Sequence, residues 1–289
     1  MPSKLTTAGS SDINWISVVA LTVFHLLSLS AIFFFSLKAL AATVVLTWIS
    51  GSLGIGIGYH RLLTHRGFKT PKWFEYFLTL CGMLALQGGV INWVVTHRIH
   101  HAFTERPGDP HSPRHGRWWS HVGWILRGTA QQHPQKTMQR YAPDLTNDPV
   151  HVWLNRLYFV PLIICGIALL AWGGLPAVLW GVFFRVTFAH HSTWMVNSVT
   201  HLWGNRRFDT GDDSTNNWWV ALLTFGEGWH NNHHAFSRAA RHGLAWYEID
   251  LNWAVIRSLE FIGLARDVHV VSKDGEAASK QRVRLQKAA

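Results

Sequence analysis

Charge-free stretches divide the chain. Residues 13–37 carry no charged side chain and are mostly aliphatic and aromatic. About 20 apolar residues in a helix cross a bilayer core, so this run is long enough to span. Lys38 interrupts it. Residues 39–59 follow as a second uncharged run, with Gly51, Gly54, Gly56 and Gly58 in its later half, and small residues at such spacing let helices approach closely. Residues 157–184 form another, broken at Gly173-Gly174 and Pro176. It reads as two spans, 153–172 and 175–195, joined by a tight turn. Arg185 falls in the second and is expected to face the protein interior or reach toward the headgroups.

The stretch 76–96 is also uncharged, but holds Gln87, Gly88, Gly89 and Asn92. A full crossing there would put the histidine-rich segments on either side of it on opposite faces of the bilayer. It is therefore expected to lie in, or dip into, one leaflet. Residues 103–150 are polar and turn-rich and carry Arg106, Arg114, Arg117, Arg127, Lys136 and Arg140. The positive-inside tendency places them in the cytoplasm, with Trp118, Trp119 and Trp124 at the membrane surface. The pattern predicts an all-α integral membrane protein: four transmembrane helices and a cytosolic, histidine-rich cap. The spans are 13–37, 39–59, 153–172 and 175–195, and the cap is 60–150 and 197–272 of a single domain, 13–272. A flexible N-terminus, 1–12, and a basic tail, 273–289, flank it, both on the cytoplasmic side.

Composition sharpens this picture. Seventeen Trp, sixteen Phe and only 15% charged residues suit a chain bathed in lipid. The net charge of +10 lies between and after the apolar runs, so it fits anionic lipid better than nucleic acid, and no nucleic-acid partner is expected. Cys81 and Cys165 alone give no disulfide framework and no cysteine metal site. The first apolar run is too long for a cleaved signal and lacks a small-residue cleavage site, so it is expected to be retained.

Histidine spacing supplies the chemistry. His97, His100 and His101 stand at i, i+3 and i+4, which on a helix share one face. Three imidazoles would then point at one volume. His230, His233 and His234 repeat the spacing. His60 and His65 stand at i and i+5, which one regular helix would not aim at a common point, so the helix is expected to end or turn there. Eight imidazoles are too many for one four-coordinate ion and right for two. Neutral imidazole suits iron, copper, zinc and nickel. Two nitrogen-ligated metals at a membrane face point to oxygen activation or hydrolysis, an all-nitrogen analogue of the carboxylate di-iron bundles. His25 reads as a helix-packing or polar-contact residue, and His190 and His191, near the end of the last span, as structural or as supports behind the ligands. His111, His115, His121, His133, His151, His242 and His269 read as surface or turn residues. Asp109 and His121, and with less support Glu227 and Asp213, are candidates to orient the ligands from behind.

The three boxes, in this order, resemble those of the membrane-bound fatty acid desaturases, most closely the delta-9 acyl-CoA and acyl-lipid branch typified by stearoyl-CoA desaturase. The resemblance runs over about 51–247. Asp109-Pro110-His111-Ser112-Pro113-Arg114 and Trp119-Ser120-His121-Val122-Gly123-Trp124 look like that family's segment after the second box. Asn197-Ser198-Val199-Thr200-His201 looks like its extra ligand segment. The resemblance implies an O2-dependent enzyme placing a cis double bond, at delta-9, in a saturated C16–C18 acyl chain carried on a glycerolipid or coenzyme A. It implies a cytosolic helical cap holding a di-metal site, with two iron ions held by His60, His65, His97, His100, His101, His201, His230, His233 and His234, and Asn197 reaching one through water. Gln87, Trp93, Thr193 and Trp194 would line the kink of a substrate tunnel, and Trp48 and Ser52 its end. Two electrons would come from a ferredoxin, rubredoxin or cytochrome b5-type donor. The Arg-Asp pair before the second box and the basic pair after the Trp-containing segment, which help hold coenzyme A in that branch, are replaced here by Val95-Thr96 and Gly128-Thr129, with only Arg127 nearby, which favours an acyl-lipid substrate. The chain carries no His-Pro-Gly-Gly haem segment, so the donor is expected to be separate. A di-iron hydroxylase of a lipid or hydrocarbon is the alternative within enzymes. A metal-binding membrane transporter is the alternative of another class, and it would line a path through the bilayer with its ligands.

Overall fold

The computed structural model describes residues 12–128 and 132–272. The expected flexible N-terminus, apart from Asp12, the basic tail and Thr129 lie outside them. The described residues are helical, with only isolated bridges and no strand.

Asn14 opens the first helix, Trp15–Ser30, by accepting from Ser17 N–H through its side chain. A tight turn, Ala31–Phe34, extends it, and Ser36 caps the next helix, Leu37–Thr47, by accepting from Ala39 N–H. That helix does not end before the first histidine pair. It widens into π-helical winding over Trp48–Thr64, and His65 N–H still bonds His60 O, five residues back, at 3.1 Å. Its close approach to helix Lys72–Met83 depends on glycine: a Cβ on Gly54 would sit 2.4 Å from Gly82 N. Ile57, Tyr59, Leu78, Val90, Val94, Val95 and Ile256 fill the core between these two helices, helix Val90–Phe103 and helix Leu251–Phe261.

Three helical stretches are long and apolar enough to cross a membrane: Trp15–Phe34, Leu37–Thr64 and Val160–His201. The outer side chains of the first two are open, Phe33 85% exposed on the first and Leu37 76% on the second, as surface facing hydrocarbon should be. The third holds 42 residues but is not straight. Gly174, at φ 65° and ψ −160°, breaks it. The arms fold back on each other, so that a Cβ on Gly181 would meet Leu169 Cδ1 at 2.7 Å. The first arm starts at Val160 rather than at 153, because Asp148 caps a separate short helix, Pro149–Arg156, accepting from the N–H groups of Val150 and His151. Arg185 faces inward and is fully buried.

The uncharged stretch 76–96 is not one helix. Lys72–Met83 stops, a loop follows, and Val90–Phe103 begins anew, its first turn bonded from outside by Asn155 Oδ1, which accepts from Ile91 and Asn92 N–H. The second histidine box rides on that helix.

Candidate metal centre

Nine histidines converge as two adjoining clusters. His60, His65, His97, His101 and His233 form one, and His100, His201, His230 and His234 the other; within each, one ring nitrogen per residue lies within 4.8 Å of all the rest. The i, i+3, i+4 spacing does not send three imidazoles to one volume. In each His-x-x-His-His box the i and i+4 residues aim one way and the i+3 residue the other. Helix Val90–Phe103 gives His97 and His101 to the first cluster and His100 to the second, while helix His230–Ala235 gives His233 to the first and His230 and His234 to the second. Each box thus straddles both clusters and ties them together. In the first box, π winding brings i and i+5 onto one face: the His60 and His65 rings stand 4.8 Å apart, centroid to centroid.

Buried carboxylates hold the rings from behind. Glu227 accepts from His60 Nδ1 at 2.5 Å, Asp109 from His100 Nδ1 at 3.0 Å, Glu105 from His201 Nδ1 at 2.7 Å and Asp212 from His234 Nδ1 at 2.8 Å. A carboxylate on Nδ1 fixes the tautomer and leaves a lone pair on Nε2. Glu227 is in turn fixed by Arg61, a fully buried guanidinium that also reaches Asp250 Oδ1 at 3.0 Å and donates to Ala240 O. Glu227 and His230 have the Glu-x-x-His spacing of carboxylate di-metal bundles, yet Glu227 lies behind His60 rather than among the ligand nitrogens.

Several of these partners escape a sequence reading. Glu105 and Asp212 carry no motif, and Asp213, weighed for such a role, instead pairs with Arg114 at 2.9 Å. His121 does not touch the clusters; its Nε2 meets His191 Nδ1 and its Nδ1 meets Ser198 Oγ, both at 3.0 Å. His191 also meets His25, so these histidines form a polar seam between helices. His111, His151 and His242, read as surface or turn residues, are buried. The His242 ring lies 4.4 Å from that of His233. Burial inside a helical cap leaves no local pattern, which is why spacing misplaced them.

The donor set fits two soft-to-borderline cations and little else. His60 and His201 present Nε2 lone pairs toward His233 Nε2 at 3.2 Å and His230 Nε2 at 3.0 Å. Buried Nε2 atoms of His65, His100 and His234 meet no hydrogen-bond partner. Ring nitrogens left without a partner inside a protein are costly unless a cation takes up their lone pairs. Burial, followed by the repulsion of neighbouring imidazoles, pushes His65, His97, His101, His230, His233 and His234 well below the usual histidine range. The neutral form that ligates a metal is therefore the one present at pH 7. Burial works against the Asp109 carboxylate, but His100 beside it holds the group far below its usual value.

Two cavities that share a wall reach the clusters, as limbs on either side of it. The larger, about 190 Å³, runs from Ile16, Ser17 and Tyr158 past Trp124 to His97. The smaller, about 60 Å³, runs from His60 and His97 to Thr47, Gly51 and Ile55. Gln87, Trp93, Thr193 and Asn197 line both. Where the limbs meet, Trp93 Nε1–H donates to Gln87 Oε1 at 3.1 Å and Gln87 Nε2–H donates to Thr193 Oγ1 at 2.8 Å. Trp194 lines the larger limb. Trp48 and Ser52 are not brought to the smaller one: Trp48 points outward, 42% exposed, and Ser52 donates to Asn252 Oδ1. The face one residue earlier closes that limb.

A membrane helix bundle, two histidine-only clusters sharing two boxes, and two adjoining narrow cavities beside them define a membrane di-metal protein built to act on a long apolar substrate. The chain belongs to the fatty acid desaturase family, whose model matches residues 14–265. It is 47% identical over 271 residues to an sn-1 stearoyl-lipid 9-desaturase of Anabaena variabilis, covering 93% of this chain and 98% of that protein. It is 48% identical over 261 residues to an sn-2 palmitoyl-lipid 9-desaturase of Nostoc sp. (strain 36), covering 90% and 92%. It is 45% identical over 268 residues to a palmitoyl-monogalactosyldiacylglycerol delta-7 desaturase of Arabidopsis thaliana, covering 92% and 71%.

Proposed function

We propose that this protein is an acyl-lipid delta-9 desaturase, which converts a –CH2–CH2– unit of a saturated C16–C18 chain on a glycerolipid to a cis –CH=CH– unit. One O2 is reduced to two waters, using the two substrate hydrogens, two electrons and two protons. The five- and four-histidine clusters would hold two irons, whose chemistry is the activation of O2; Asn197, one helical turn before His201, would reach the second through water. The observation that carries the reading is the shared wall: both limbs are lined by His97 and Asn197, so a chain threaded from one into the other would bend where the ligands lie. Gln87, Trp93 and Thr193 hold the turn, and the apolar walls exclude water from it.

No Asp, Glu, Lys or Arg lines the larger limb among the described residues. An entry without fixed charge suits an ester lipid better than a carrier held by its phosphates. The hairpin folded at Gly174 supports four crossings, with both termini and the histidines on the cytoplasmic side. There the exposed Arg106, Arg114 and Arg117, beside Glu105, would receive an acidic electron donor such as a ferredoxin, rubredoxin or cytochrome b5-type protein.

The test is co-expression with a ferredoxin and its reductase in a host without desaturases, with His100→Ala beside it. A new cis-9 monoene, absent from the variant, is the expected result. Hydroxylated chains would assign the protein to the hydroxylases instead.

A further inference from the structure

The loop 84–89 carries Gln87 to the bend, and one helix holds it in place. Arg185 Nη2–H donates to Leu84 O at 2.9 Å. His190 Nε2–H is shared between Ala85 O at 3.0 Å and Leu86 O at 3.1 Å. Thr193 Oγ1 accepts from Gln87 itself. All three side chains stand on helix Arg185–Ser198, which also carries Asn197 and runs on through Val199–His201 to the ligand His201.

Two features mark the clamp as more than ordinary packing. Leu86 sits at φ 53°, a left-handed conformation that a branched side chain adopts only when its surroundings impose it. Arg185 is completely buried in an apolar span, and its remaining bonds go to Gly181 O and Ser50 Oγ, both neutral. A cation so placed is costly and retained for what it holds. What it holds is the register of the bend against the rod that bears a metal ligand. One residue of helix rises about 1.5 Å, a displacement large enough to bring the next methylene to the metals.

We propose that Arg185 and His190 are positioning residues for regioselectivity: by clamping the carbonyls of residues 84–86 to the helix of Asn197 and His201, they select which carbon pair is desaturated. The proposal rests on the desaturase reading. His190 touches neither a metal ligand nor Gln87 in any hydrogen bond; it acts on the bend through the loop carbonyls it holds and through its own ring, which lines the larger limb.

The experiment compares wild type, His190→Leu, His190→Gln and Arg185→Lys in a desaturase-free host, reading double-bond position in the monoenes and iron content of the purified proteins. Wild type and His190→Gln, which keeps a donor, are expected to give one positional isomer. His190→Leu and Arg185→Lys are expected to load iron as wild type does, and to add a second isomer at roughly one part in ten of the monoene, a tenfold bias being about 1.4 kcal/mol. A single, unchanged position in either of these two variants overturns the proposal. So does loss of iron from His190→Leu, His190→Gln and Arg185→Lys alike, since the side chains would then serve folding. Absence of any monoene from wild type would instead overturn the desaturase reading.

Discussion

The four carboxylates behind the histidines decide which nitrogen each ring offers. Glu105 does so for His201 across 96 positions of sequence, and Asp212 for His234 across 22. Glu105→Leu would leave His201 Nδ1 without an acceptor and remove the partner of Asp213 N–H. Loss of such an outer partner costs about 10- to 100-fold in metal affinity. Ferrous iron titrated into metal-free Glu105→Leu should therefore show one weakened site of two, and Glu105→Gln, which keeps an acceptor, a smaller loss. Wild-type affinity at both sites would remove Glu105 from the design. The histidines of the two His-x-x-His-His boxes were legible in the sequence as a cluster because imidazoles at i, i+3 and i+4 are rare and repeated. Glu105 and Asp212 were not, because nothing local links an acidic residue to a ring so far along the chain. Asp109, nine positions from His100, sits at the edge of what spacing can reach.

Helix winding decides where those side chains go. A regular helix through His60 and His65 would point them apart, which is why an end to the helix was expected. The π-helical stretch Trp48–Thr64 keeps the helix and aligns the pair instead. The same winding moves the cavity face to Thr47, Gly51 and Ile55 rather than Trp48 and Ser52. Gly51→Val should shorten the smaller limb, since even a Cβ there lies 3.0 Å from Phe225 Cε2. The ratio of C16 to C18 monoene in lipid extracts should rise several-fold, while Trp48→Ala should leave it unchanged; the opposite pattern would return the tunnel end to Trp48. Gly54→Ala tests the packing itself. Its methyl would strike the backbone at Cys81 and Gly82, with no side chain to move aside. Overpacking of this kind costs about 1–3 kcal/mol or more, so the melting temperature in detergent should fall by several degrees; an unchanged value would show that the helices can separate freely.

Across the whole molecule, apolar patterning predicted membrane helices, and three stretches have the length and composition for that role. The number of crossings turns on Gly174, whose φ of 65° folds the longest stretch back on itself. Four crossings require both ends of the chain to be on one side, which reporter fusions at each end would check. The buried histidines also make stability depend on pH. Burial holds them neutral in the fold, His242 down to about 4 and His111 to about 3, whereas the unfolded chain protonates its histidines near 6.5. A depressed folded value means stability is full above about pH 6.5 and is lost as the pH falls through the lower values. The melting temperature of the metal-free protein should accordingly drop between pH 7.5 and 5, and a flat profile would show that these rings are solvated.

The most direct measurement uses the purified, iron-loaded protein in lipid nanodiscs, supplied with O2, ferredoxin and its reductase. One sample holds a stearoyl glycerolipid and another stearoyl-CoA, and double-bond position is read on the intact product. The account predicts a cis double bond at carbon 9 on the glycerolipid, at a rate well above that on the CoA ester. A hydroxylated chain, or an unchanged lipid with two irons bound and the donor oxidised, would contradict it.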